Sequence, residues 1–357
     1  MYVKCLLCII SAGLLFVACM QCNKKSDIVF TYFITEDSGS GWHIIRLNAE
    51  HRNDPKKNLT IGITPEGGNN MFSFKAGGNE LIEAPVEIGE IFKQRNGIPI
   101  LFPTPNRVRD GVFVFLGDTV RMLIPGEEKP RLIHGLVCND TAWNYSEPEI
   151  RSDRVIYKGW YIFDESNPRF QAYPYRCTLR VEYALLKDRV RISYEVGNQD
   201  KRPLGFGFGL HPFWKVIGTK EETEIQTAIP YHMEATEALL PTGRIEPVEG
   251  TKWNLMKPKP VSELRLDDVY FGATPETAVQ VIYNSIGLCI QQQATADFTH
   301  VVVYTPDRDY FCVENQTCST DAHNLYSKGF IKESHLQIVE EGEKKGGFVD
   351  YIISWNE

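Results

Sequence analysis

Period-two alternation is the pattern that most restricts what this chain can fold into. Between Arg180 and Glu195, the residues Val181, Tyr183, Val190, Ile192 and Tyr194 are apolar, and Arg or Glu stands between many of them. Successive side chains of a strand face opposite sides, so such a run buries one face and wets the other. Leu186-Lys187-Asp188-Arg189 separates the two apolar runs and predicts a hairpin turn. A second pair, Val301–Tyr304 and Tyr310–Val313, flanks Pro306-Asp307-Arg308-Asp309, and Gly347–Trp355 reads as the last strand. No long window carries the 3.6-residue period with caps; Glu234–Leu240 and Glu276–Val281 fit a short helix or a loop equally. The 28 Gly and 20 Pro are scattered as turn punctuation and do not gather into a linker. Residues 28–357 are therefore expected to form one all-β domain, a large antiparallel sandwich.

The N-terminus reads as an address and not as fold. Lys4 precedes the apolar run Cys5–Val17, which is short for a membrane span and fits the core of an export signal. Leu15-Phe16-Val17-Ala18-Cys19 resembles a bacterial lipoprotein box, although Phe16 stands where Leu is usual. Cleavage after residue 18 would leave Cys19 as the lipidated first residue, with residues 19–27 as a polar tether. Cys22, preceded by Gln21, fits less well, and an ordinary cleaved signal peptide is the alternative. This reading makes the protein an exported lipoprotein, lipid-anchored on the periplasmic side of a membrane or at the cell surface.

Of the nine Cys, five lie beyond the leader and tether: Cys138, Cys177, Cys289, Cys312 and Cys318. An odd, dispersed set is no disulfide framework, and a Cys312–Cys318 bridge is left open. Beyond the leader and tether no Cys or His pair has zinc-like spacing, so no metal is expected. The net charge of -8 and the lack of a basic stripe argue against nucleic acid as a partner.

Five segments carry chemistry. In Gly205-Phe206-Gly207-Phe208-Gly209-Leu210-His211-Pro212-Phe213, a strand would bury Phe206, Phe208 and Leu210. Its other face is bare glycine up to His211, which predicts the close approach of a ligand or another backbone, with His211 as an acid or base beside it. A bulged strand with a capping histidine is the alternative. The proline-stiffened loop from Asn96 to Gly111 presents Arg107, whose fork suits hydroxyls or a carboxylate, and Arg109, read as a surface residue. His134 precedes Gly135, and Trp143 follows as a face on which a sugar could stack. Asp267 and Asp268 are paired carboxylates that either grip hydroxyls or charge a turn. Glu314 shares one face of an apolar strand with Tyr310, Cys312 and Gln316. A carboxyl so placed is paired, or its pKa rises toward what a base working near neutrality needs.

Taken together, NGIPILFPTPNRVRDG from Asn96, IHGLVCNDTAW from Ile133, GFGLHPFW from Gly205, LDDVYFG from Leu266 and YFCVENQTCSTDAHNL from Tyr310 resemble the aldose 1-epimerase (galactose mutarotase) family, in its order and at its approximate spacing. Thr60–Ile82 is similar to its opening hairpin. The resemblance implies a β-supersandwich with a sugar groove on one sheet, and no cofactor. It implies His211 as the general acid at the ring oxygen and Glu314 as the general base at the anomeric hydroxyl. Arg107, His134 and one of Asp267 and Asp268 would hold substrate, with Asp267 favoured because the family's Asp stands three positions before an aromatic. A protonated His211 is then expected, its pKa raised by a nearby carboxylate. The chain departs from the pattern at Asn315, where Pro is common, and at His323, where a smaller apolar residue is common; both are expected near the groove. Trp214 would either add a stacking face or fill the core.

The partner expected from this resemblance is a free aldohexose; the oligomeric state is open. Three other functions compete. A hexose 6-phosphate epimerase would need several arginines around the groove mouth. A non-catalytic glycan-binding lipoprotein would not need both His211 and Glu314. A glycoside-cleaving enzyme would pair Glu314 with Asp267 or Asp268 across the scissile bond.

Overall fold

The computed structural model describes residues 27–356 with their side chains. The expected leader, the cleavage point, Cys19 and the tether to residue 26 lie outside them. Among the described residues, a nine-stranded antiparallel sheet runs from Asn144–Ile150 at one edge to Lys259–Pro260 at the other. Its middle is the expected hairpin, Cys177–Leu185 with Arg189–Asn198, joined by Leu186–Asp188 and flanked by the long last strand Lys344–Trp355. The register pairs Val181 with Tyr194 and Tyr183 with Ile192, so the apolar positions seen in the sequence share one face.

A second sheet has His300–Tyr304 and Tyr310–Gln316 at its centre, with Asp267–Phe271 beside the former and Gly209–Leu210 and Phe213–Lys215 beside the latter. Val301, Val303, Phe311 and Val313 turn inward, into the same buried cluster as Val181, Tyr183 and Tyr194 of the first sheet. Phe208 stacks on Tyr194 with centroids 4.2 Å apart, which ties the two sheets together across the core. Leu59–Thr64 and Asn70–Ala76 form the expected opening hairpin of a further sheet. The fold is an all-β antiparallel sandwich, as the alternation requires.

Among the described residues helix is confined to short pieces such as Ala322–Ser327 and Ile331–Ser334. The two ambiguous stretches resolve into strand and turn. Tyr231–Ala235 ends within Glu234–Leu240, and Val279–Tyr283 begins within Glu276–Val281. Cys312 and Cys318 are both free thiols. Trp214 is fully buried between Phe74 and Tyr351, so it fills the core.

Candidate active site

The outward face of the second sheet floors a cavity of about 430 Å³. Strand alternation decides which residues reach it. On Tyr310–Gln316, Phe311 and Val313 go to the core, and Glu314 goes to the cavity. Val302, opposite Glu314, and Tyr304, opposite Cys312, line the same floor, and so does Asp267, opposite Tyr304. The volume lies within the range typical of small-molecule sites.

His211 is delivered by a wedge. Residues 205–213 do not form one continuous strand; they break into Leu204–Phe206, Gly209–Leu210 and Phe213–Lys215. On one side the wedge bonds the proline loop, with Gly207 N–H donating to Pro103 O at 2.7 Å and His211 N–H to Pro99 O at 3.1 Å. On the other it exchanges bonds between Phe208 and Thr317. The bare glycine face is filled by the protein itself and holds no open strip for a ligand. A Cβ on Gly207 would sit 2.2 Å from Cys318 Sγ and 2.6 Å from Pro105 Cδ, and one on Gly209 would press on Gln316 and Pro105. The glycines let the loop close down, and that closure aims His211 into the cavity.

His211 Nε2 lies 3.3 Å from Glu314 Oε1, and both side chains are at least nine-tenths buried. The other carboxyl oxygen, Oε2, accepts from Gln316 Nε2 at 3.0 Å. Phe213 stacks on the His211 ring at 4.4 Å, and His134 meets it edge-on at 4.9 Å. Burial pushes the Glu314 carboxyl up to about 8, with the Gln316 hydrogen bond opposing and Asp267 adding to the rise. Burial also holds His211 well below the usual histidine range, and neighbouring His134 and Arg95 reinforce it. The expected rise for His211 is thus reversed. Loss of water outweighs the one carboxyl nearby, because that carboxyl is itself driven neutral. Near neutral pH the pair holds one proton, on Glu314.

The remaining candidates divide. His134 is brought in by a turn at φ 64°, its backbone N–H bonded to Asn106 O at 2.9 Å. Burial and the Arg107 charge lower its pKa to about 4, so it is a neutral donor or acceptor. Arg107 lines the cavity, 3.7 Å from Asp267 Oδ2. Asp267 is the carboxylate on the cavity side; Asp268 turns away to His232 Nε2 at 3.1 Å. Trp143 is not at the site. It is buried, donates to Val137 O at 3.1 Å and packs on Tyr161, because the loop after His134 folds back into the core. Neither departure from the family pattern borders the cavity. Asn315 follows the core parity of its strand, and His323 is buried against Phe113 with Nε2 bonded to Gly205 O at 2.7 Å. Arg109 is partly exposed and leans on Asp321.

The structure adds residues that the sequence reading passed over. Arg95 reaches over the cavity and donates to Tyr304 Oη at 3.2 Å and Tyr310 Oη at 3.0 Å. Arg131 lines the cavity and is engaged by Glu127. The only signal for Arg95 was its position just ahead of the proline loop. Ligand atoms of His211, Cys312 and Glu314 lie within 4.8 Å of one another, so a soft divalent ion has three buried donors there, at the cost of the lone pairs that would move protons.

A family model described as aldose 1-epimerase matches residues 55–351. Galactose mutarotase of Mus musculus is 25% identical over 157 residues, 43% of this chain and 43% of that protein, so the match spans less than half the relative's length. Among solved structures, a galactose mutarotase-like protein from Clostridium acetobutylicum superposes with a TM-score of 0.79 at 20% identity, covering 94% of this chain and 100% of that one. A galactose 1-epimerase from Lactobacillus acidophilus gives 0.68 at 15% identity, covering 94% and 98%. At these identities the structural likeness establishes the shared fold.

Proposed function

Because this chain belongs to the aldose 1-epimerase family, we propose that it interconverts the α and β anomers of a free aldohexose by acid–base ring opening and closing. The observation that carries this reading is the 3.3 Å approach of His211 to Glu314 inside a monosaccharide-sized cavity. One proton shared by two such groups is what a ring opening requires: one group gives, the other takes.

In the empty cavity the proton sits on Glu314. Sugar hydroxyls donating to the Glu314 carboxylate favour the other tautomer, with the proton on His211 Nε2, and no side chain has to travel for that transfer. Glu314 then takes the O1 proton as His211 gives its proton to O5. The C1–O5 bond breaks, C1 becomes an aldehyde carbon, and rotation about C1–C2 exposes its other face. In closure O5 attacks C1, its proton returns to His211, and Glu314 protonates the new O1. The enzyme ends as it began. A positioned acid and base each contribute roughly 10²–10⁴-fold. Arg107, Asp267 and His134 hold the ring hydroxyls. The partner facing Glu314 is a histidine, which favours this reading over glycoside cleavage by two carboxyls.

Exchange spectroscopy on the anomeric protons of galactose and glucose at equilibrium tests the proposal. Enzyme-dependent α/β cross-peaks support it; their absence with folded protein and both sugars refutes it. We further propose that the chain is exported and anchored through lipid on Cys19, equilibrating anomers outside the cytoplasm. Labelled fatty acid incorporated into the wild type and lost in Cys19→Ala would support the anchor.

A further inference from the structure

Among the described residues no hydrogen bond reaches the carboxyl oxygens of Asp267, and its contact with Arg107, at 3.7 Å, is too long to be one. What aims this side chain into the cavity is therefore its backbone, and that backbone is secured differently on its two sides. On one side the strand Asp267–Phe271 pairs with His300–Tyr304. That pairing is locked just ahead of Asp267, where Leu266 N–H donates to Thr305 Oγ1 and Thr305 N–H to Leu266 O, both at 2.8 Å. On the other side the strand meets Tyr231–Ala235, but the ladder joins only Tyr231 with Phe271 and His232 with Tyr270. Toward Asp267 that ladder has ended, and side chains take over from backbone.

Asp268 Oδ2 accepts from the Asp267 N–H at 3.2 Å, and Asp268 Oδ1 lies 3.1 Å from His232 Nε2. Register explains the meeting. His232 and Tyr270 are cross-strand partners, and Asp268 is two residues from Tyr270, so the three side chains share the face turned away from the cavity. Such a diagonal pair is within reach of long side chains. The buried His232 ring is clamped: Trp253 stacks on it at 3.9 Å, and Tyr270 meets it edge-on. Tyr270 Oη in turn donates to Trp253 O at 2.9 Å. A ring nitrogen that faces a carboxylate oxygen carries its proton, so Nε2–H is the donor; Nδ1 is buried and has no protein partner among the described residues. Burial works to raise the Asp268 pKa, but the His232 hydrogen bond leads the contacts that hold it below the usual carboxylate range. Asp268 stays an anion, and a charged acceptor holds the Asp267 N–H more tightly than a neutral one.

We propose that His232 is a positioning residue: through Asp268 it fixes the backbone of Asp267 and so aims the Asp267 carboxylate at a sugar hydroxyl. It rests on the mutarotase reading above, in which Asp267 holds substrate. His232 itself does not line the cavity, so its effect on turnover passes through Asp267.

The test measures kcat and KM for mutarotation of whichever of glucose and galactose the wild type turns over faster. His232→Leu removes the donor and is expected to raise KM by about five- to tenfold, the worth of about one hydrogen bond to substrate, with kcat changed by less than about twofold. His232→Gln, whose amide Nε2–H reaches Asp268 as the ring does, restores most of the loss. Added to Asp267→Ala, His232→Leu raises KM by less than about twofold more, because the contact it serves is already gone. A loss confined to kcat, a KM rise repeated in full on Asp267→Ala, or a His232→Gln variant no better than His232→Leu would overturn the inference and leave the mutarotase reading standing. Nitrogen–proton correlation spectra of the histidine rings in the wild type do not depend on any variant folding. They are expected to show His232 Nε2 protonated at neutral pH, and a bare Nε2 would overturn the inference whatever the variants do. A folded wild type that accelerates neither sugar would refute both.

Discussion

Gln316 offers the sharpest handle on the proton inventory of the site. Its Nε2 donates to Glu314 Oε2 at 3.0 Å, and this bond favours the carboxylate over the acid. A hydrogen bond to a charged group is worth roughly 1.5–3 kcal/mol, and 1.36 kcal/mol corresponds to one pKa unit, so removing the donor raises the Glu314 pKa by about 1–2 units. The free enzyme is active while the His211–Glu314 pair holds one proton. Its kcat/KM therefore falls on the alkaline side as that proton leaves, near pH 8 in the wild type. Gln316→Leu, close in size and without the donor, should move this limb upward by about 1–2 pH units. Asp267 acts with the opposite sign: its charge adds to the rise, so Asp267→Asn should move the limb downward while also raising KM. The assay is kcat/KM for mutarotation from pH 6 to pH 10, corrected at each pH for the spontaneous rate. A limb that ignores both substitutions, or moves the same way in both, would refute the account of what sets the Glu314 pKa.

Other expectations follow from the same geometry. Glu314 has a folded-state pKa of about 8 against 4.5 for the free side chain. The stability it contributes is fully present below 4.5 and is lost as pH rises toward 8. Glu314→Gln should accordingly be more stable than wild type at pH 8–9, on the order of a few kcal/mol in chemical denaturation, with the gap closing toward pH 5; equal stability at pH 9 would contradict the burial argument. Gly207→Ala forces a methyl against Cys318 Sγ and Pro105, and should destabilise the fold by about 1–3 kcal/mol in the same measurement. Zinc added at micromolar concentration should slow turnover by occupying His211, Cys312 and Glu314, and a chelator should restore the rate; acceleration by zinc would contradict a mechanism that runs on those lone pairs.

What could be read in advance was what depends on local pattern. The hairpin around Leu186–Asp188 and the inward parity of Phe311 and Val313 follow from alternation alone, and parity sends Glu314 to the opposite face. Parity separates Asp267 from Asp268, since adjacent strand residues cannot share a face, but the preference for Asp267 comes from the family resemblance and not from alternation. What resisted reading depends on contacts distant in sequence. The glycines of residues 205–209 announce a close approach but not of what, and the answer is Pro105 and Cys318. Trp143 suits a sugar face and a core equally well by its chemistry; the path of the loop decides, and it buries the ring. His323 carries a polar ring, but its burial against Phe113 and its bond to Gly205 are invisible without the fold. The His211 pKa was misread in direction because a partner carboxyl counts only when it is charged. Arg95 gave no sign beyond its place just ahead of the proline loop, since its partners lie more than two hundred residues away.

Polarimetry of freshly dissolved α-glucose and α-galactose, with wild type and Glu314→Gln against the spontaneous rate, tests the central claim most directly. The account predicts that the wild type accelerates mutarotation of at least one sugar and that Glu314→Gln, folded, loses that acceleration. Acceleration that survives in Glu314→Gln would contradict the pair, and a folded wild type that accelerates neither sugar would contradict the proposed reaction.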